Sequence, residues 1–100
     1  MIIEKYLLDK GIKPNHKGFK QLTYAIELCQ KDETYLDGFT KRLYPDIARD
    51  FNITHSNVER DLRFAIRSAG HNVVVSEFIA RAVLELRITK PSKGRKNYGN

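Results

Sequence analysis

Hydrophobic residues along the chain recur at steps of three and four with polar residues between them, and no stretch holds the two-residue alternation of a strand. The pattern predicts an all-α fold, a compact helical domain of about five helices with short connections and no internal repeat. Ile2, Ile3, Tyr6 and Leu7 mark one apolar face of a first helix, and Gly11 supplies its stop. Lys13 to Gly18 reads as a loop. Phe19, Leu22, Ile26 and Cys29 then give an amphipathic helix over 19–30 facing the same core. Between 31 and 38, Tyr35 and Leu36 can pack as a single helical turn before Gly38 breaks the run. Leu43, Ile47, Ala48 and Phe51 resume the helical spacing. Pro45 fits there because the first turn of a helix can spare its N–H. Val58, Leu62, Ala65, Ile66 and Ala69 form the stripe of a longer helix, and Gly70, His71 and Asn72 make a connection. Val73 to Val75 is too short for a strand, and Ser76 can cap a last helix carrying Phe78, Ile79, Val83 and Leu86.

The segment at about 43–69 carries the most specific local chemistry. Asn52 tolerates the left-handed conformation that helix ends favour, Ile53 can point back into the core, and Thr54 can cap the next helix through its hydroxyl. The turn is then about three residues long, and Ile53 with Val58 forms a hydrophobic staple that fixes the approach of the second helix. Two helices joined in this way read as a helix-turn-helix whose recognition helix spans about Thr54–Ala69. With the apolar stripe buried, His55, Ser56, Asn57, Glu59, Arg60, Arg63 and Arg67 face outward, and the base-reading types concentrate towards the helix N-terminus, the end such helices present to the major groove. Arg60 can donate two hydrogen bonds to guanine, Asn57 can pair with adenine, and Glu59 can accept from cytosine or orient a neighbouring arginine. A plain solvated face would equally place Glu59 beside Arg63 at the i,i+4 spacing, worth a few tenths of a kcal/mol, but gives Arg60 no acid at that spacing.

Charge sharpens this picture. The chain has 100 residues and a net charge of +6, yet five of its 18 basic residues fall in the last fourteen positions with no acid among them. The remaining 13 face 12 acids, so the globular part is nearly neutral and any DNA contact there depends on local arrangement. We therefore divide the chain into a helical DNA-binding domain, 1–87, and a flexible basic tail, 88–100, whose Pro, Gly and isolated basic residues cannot bury apolar surface. Lys90 and Lys93 in that tail are either solvated or in contact with phosphates.

Other classes find little support. No apolar run approaches the roughly eighteen residues of a membrane span, and the charged N-terminal stretch lacks the core of a secretory signal, which points to the cytoplasm. Cys29 alone cannot form an internal disulfide and occupies the apolar side of a helix, an ordinary buried thiol. His16, His55 and His71 lie in separate segments without ligand companions, so neither a metal nor another cofactor is expected. With no glycine-rich phosphate loop and no nucleophile elbow, the chain does not read as an enzyme.

The run LYPDIARDFNITHSNVERDLRFAIRSA, together with KGFKQLTYAIEL at Lys17–Leu28 and SEFIARAVLELR at Ser76–Arg87, resembles the C-terminal effector domain of stage-zero sporulation protein A, the sporulation response regulator. The resemblance covers most of the chain from about Gly11 to Arg87. It implies an all-helical domain that binds double-stranded DNA, regulates transcription in sporulation, and works as a tandem dimer on repeated sites. Glu59, Arg60 and Arg63 stand where the family has its DNA-engaging V-E-R-x-x-R residues, while Asn57 and Phe64 stand where better-known members carry basic residues. The family's receiver domain is not among these 100 residues. Alone in solution the domain is expected to be a monomer. The competing reading is a protein-interaction module presenting the same helices to a partner such as a polymerase subunit or a sister copy.

Overall fold

A computed structural model describes residues 2–89. Among them it forms five α-helices: α1 (Ile2–Asp9), α2 (Lys17–Lys31), α3 (Tyr44–Phe51), α4 (His55–Ser68) and α5 (Val75–Thr89). No strand occurs among the described residues. The fold is all-α, as the periodicity predicts. The central element is α2, which touches each of the other four helices.

Three helices end on the same device. After α1, the Gly11 N–H donates to the Leu8 carbonyl (2.9 Å) and the Ile12 N–H to that of Leu7 (3.0 Å). After α3, Asn52 and Ile53 repeat the pattern on Arg49 and Ala48, and after α4, Gly70 and His71 repeat it on Arg67 and Ile66. This pair of hydrogen bonds closes orphan carbonyls only if the residue that donates the first of them turns left-handed. Gly11 (φ 86°), Asn52 (φ 57°) and Gly70 (φ 90°) all do. The second residue then folds back, so Ile12 is buried and Ile53 half-buried against the core.

Leu7, Ile12, Leu22, Ile26, Leu43, Ile47, Val58, Leu62, Ile66 and Ile79 form the sealed centre of that core. Cys29 lies with them, and burial pushes its thiol up to about 11, so thiolate is scarce at neutral pH. Along α1 only Ile3 and Leu7, one turn apart, are buried; Tyr6 is partly covered and Ile2 stays exposed, because its direction diverges from theirs by about 100–140°.

The structure corrects the expected boundaries at three places. Lys17 and Gly18 belong to α2 rather than to the preceding loop. Helix α5 starts at Val75, so Ser76 lies in its first turn and does not cap it; the Phe78 N–H donates to the Val74 carbonyl instead (3.1 Å). Val75 is buried, and packing it within the helix outweighs the capping preference of a serine one residue later. The far end of α5 reaches Thr89, two residues beyond the boundary drawn at 87.

Between α2 and α3 lie a 3₁₀ turn (Glu33–Asp37) and a π-turn (Phe39–Leu43). The Asp32 carboxylate caps the first, accepting from the Thr34 N–H at 3.0 Å, and pairs with Arg42 of the second at 3.3 Å. Arg42 also lies over the Tyr35 ring, whose hydroxyl donates to Asp46 on α3 (2.5 Å). In the π-turn the Leu43 N–H reaches back five residues to Gly38 (2.9 Å). This wide turn sits immediately ahead of Pro45, which cannot supply the next rung of a helical ladder. Among the described residues no helix is long and apolar enough to cross a membrane.

Candidate nucleic-acid interface

The second helix of the pair is set by its turn. Asn52, Ile53 and Thr54 separate α3 from α4, and Thr54 has extended backbone (φ −81°, ψ 158°). Its Oγ1 accepts the Asn57 N–H at 3.1 Å, satisfying one of the orphan donors of the first turn of α4. Replacing it by alanine leaves that donor to water. Thr54→Ala is expected to cost about 1 kcal/mol of stability, lowering the melting temperature by about 4–8 °C in a thermal scan.

Two supports hold α4 against the body. Val58, Leu62, Ala65 and Ile66 enter the core. Beside them runs a close seam with α2, where a methyl group on Gly18 would overlap the Asp61 carbonyl oxygen and lie 2.8 Å from Ala65 Cβ. In the same seam Gln21, only 3% exposed, donates from Nε2 to Asp61 Oδ2 at 2.9 Å. At the N-terminal end, the buried Tyr44 ring meets His55 edge-on with centroids 5.6 Å apart and Phe39 at 6.1 Å. Burial, reinforced by the charge of Glu59, pushes the Tyr44 hydroxyl up to about 12, so it stays neutral beside α4.

On the opposite face, His55, Ser56, Glu59, Arg60, Arg63 and Arg67 are exposed and Asn57 is half-buried beneath the cap. Glu59 and Arg63 pair at 3.5 Å, as their spacing predicts. Arg60, which the spacing left without an acid, in fact reaches its neighbour: Nη2 lies 3.6 Å from Asp61 Oδ1. The long side chain bends back along the helix to an aspartate that Gln21 already holds. Among the described residues Arg67 and Lys41 make no ion pair. Lys90 and Lys93 lie outside the described residues. The three histidines are apart: His16 packs on Phe64, His55 on Tyr44, and His71 donates from Nε2 to the Lys10 carbonyl at 2.6 Å. Among the described residues no cluster of three His, Cys, Asp or Glu is placed to hold a metal ion.

Sequence reasoning missed Gly18, Gln21, Asp61 and Tyr44 as supports of this face. For Tyr44 the signal was there, since Tyr44, Ile47 and Phe51 share one helical stripe. Gly18 carried none, because a glycine that lets two helices touch reads the same as one that breaks a helix.

Residues 3–95, nearly the whole chain and all five helices but for Ile2, match the family described as Sporulation initiation factor Spo0A C terminal. The chain belongs to the Spo0A C-terminal family. That family is a class of DNA-binding effector domains of response regulators, acting on transcription in sporulation, rather than a class of enzymes. The helical architecture around α2 is accordingly the body of a Spo0A-type DNA-binding domain.

Proposed function

We propose that α4 is the recognition helix, entering the major groove of duplex DNA with its N-terminal half foremost. One observation carries the reading: the capped, body-anchored α4 turns Arg60, Arg63 and Arg67 outward along a single exposed face, with Asn57 half-exposed at its N-terminal end, in a chain whose family binds DNA. Arg60 donates two hydrogen bonds to guanine and Asn57 pairs with adenine. Glu59, at 3.5 Å from Arg63, steadies that arginine for a base or phosphate or accepts from cytosine itself. His55 and Ser56 contact the groove edge. Arg67 and Lys41 hold phosphates. Beside α4 a cleft of about 240 Å³ has Arg63, Arg67, Thr40 and Ser76 in its wall together with Glu59 and an apolar side that includes Tyr44, and its arginine edge gives a phosphate room. Lys90 and Lys93 serve the same purpose from beyond α5. The domain arrives as a monomer in the cytoplasm and pairs only on tandem sites.

Selection of bound duplexes from a randomised pool at near-physiological salt, followed by sequencing, tests this reading. The expected result is an enriched motif together with a log–log salt slope of roughly −3.6, the value for about four neutralised phosphates. No enrichment and a flat salt response would instead assign the same face to a protein partner.

A further inference from the structure

We infer that Phe64 reads DNA as well, packing its ring against the 5-methyl group of a thymine in the major groove. The inference rests on the major-groove reading of α4 and adds to it a residue that the polar pattern of that face conceals. Outside its buried stripe, α4 is polar or charged at every position but this one, and Phe64 is 60% exposed. Single exposed apolar residues are common on protein surfaces and by themselves mean nothing. Position is what distinguishes Phe64. It follows Arg60 by four residues and Asn57 by seven, so the three stand in one row along α4. Whatever surface Asn57 and Arg60 meet, Phe64 meets one turn further along.

The ring is also braced. His16, from the connection ahead of α2, packs against it with centroids 5.1 Å apart and planes tilted by 44°. Contact from the body side limits how far the phenyl group can fold back and leaves its outer face open. That open face lies between charged neighbours, Arg60 one turn before it and Arg67 three residues after it, both exposed. Such a setting does not suit an apolar protein partner, which would have to desolvate both arginines. It does suit a duplex. The edges of the major groove offer hydrogen-bond donors and acceptors and one apolar group, the thymine methyl, and a phenyl ring can discriminate among bases only through that group.

The test uses duplexes enriched by the intact chain and replaces each thymine singly with deoxyuridine, which removes the methyl and nothing else. At one position the replacement should weaken binding of the wild type by about fourfold, the factor for one buried methyl group. The same replacement should leave Phe64→Ala unchanged and should still weaken Phe64→Leu, which keeps an apolar contact. Because the ring is largely exposed, Phe64→Ala should melt with the wild type. If an Arg60-dependent motif is enriched but every deoxyuridine duplex binds like its parent, or wild type and Phe64→Ala lose equally, Phe64 does not read thymine and the major-groove reading stands. If no motif is enriched, the major-groove reading fails and this inference fails with it.

Discussion

Gly18→Ala is expected to lower the melting temperature by about 8–16 °C, the shift that corresponds to a net loss of about 2 kcal/mol in a domain of this size. Two effects of opposite sign meet at this position. Alanine is worth up to roughly 1 kcal/mol more than glycine in a helix, the full value applying to its interior, and Gly18 is the second residue of α2, so propensity alone would favour the substitution. Against it stands the new Cβ, which would overlap the Asp61 carbonyl oxygen and crowd Ala65 Cβ at 2.8 Å. A carbonyl within the ladder of α4 cannot rotate aside as a flexible side chain would. Relief therefore requires the two helices to part, which also pulls at the Gln21–Asp61 hydrogen bond of 2.9 Å. Overpacking of this kind costs about 1–3 kcal/mol, and with so rigid a neighbour the upper end applies. Gly38→Ala is the control: its Cβ would meet only the Arg42 side chain, at 3.4 Å and beyond. An unchanged or raised melting temperature for Gly18→Ala would show that the seam is slack.

The same seam shows where sequence reasoning reached and where it stopped. Helix identity was legible because burial imposes a period: Leu22, Ile26 and Cys29, or Val58, Leu62, Ala65 and Ile66, can share a core only if the chain is helical. The turn was legible because its chemistry is local, with Asn52 left-handed and Thr54 bonded three residues ahead. Contacts across the fold leave no such trace. Gly18 meets Asp61 from 43 positions away in the chain, and nothing near it distinguishes close packing from a break. The π-turn escaped because Phe39 to Leu43 keeps an ordinary hydrophobic spacing while its hydrogen bonds shift by one residue. Ser76 misled because a capping residue competes with the burial of Val75, and burial is decided by what α5 packs against. On the candidate face, exposure followed from the stripe. The Arg60–Asp61 pair did not, since the spacing rule for helices looks one turn away and passes over the adjacent residue.

That pair bears directly on the second large effect, the loss of specific binding in Arg60→Ala. The Arg60 side chain is 61% exposed and its contact with Asp61 spans 3.6 Å, so the pair contributes between nothing and about 1 kcal/mol to the fold. Alanine there should lower the melting temperature by no more than about 4–8 °C, the shift for about 1 kcal/mol in a domain of this size. Asp61 cannot follow the arginine outward, because Gln21 holds its other oxygen. In the proposed readout Arg60 would therefore exchange a weak, solvated partner for guanine at little cost and keep nearly the full value of a bidentate contact. Removing it should cost about 1–3 kcal/mol on the selected sequence, roughly a 5- to 150-fold weaker affinity, with preference relaxed at one base pair. Binding to random duplexes should fall far less, since phosphates supply it. Arg67→Ala and Lys93→Ala should behave differently, weakening selected and random duplexes alike and flattening the salt slope by about one contact each. Titrations of the three variants against both duplexes separate these outcomes. Equal losses on both duplexes for Arg60→Ala would reduce Arg60 to a phosphate contact and leave base reading to Asn57 and its neighbours.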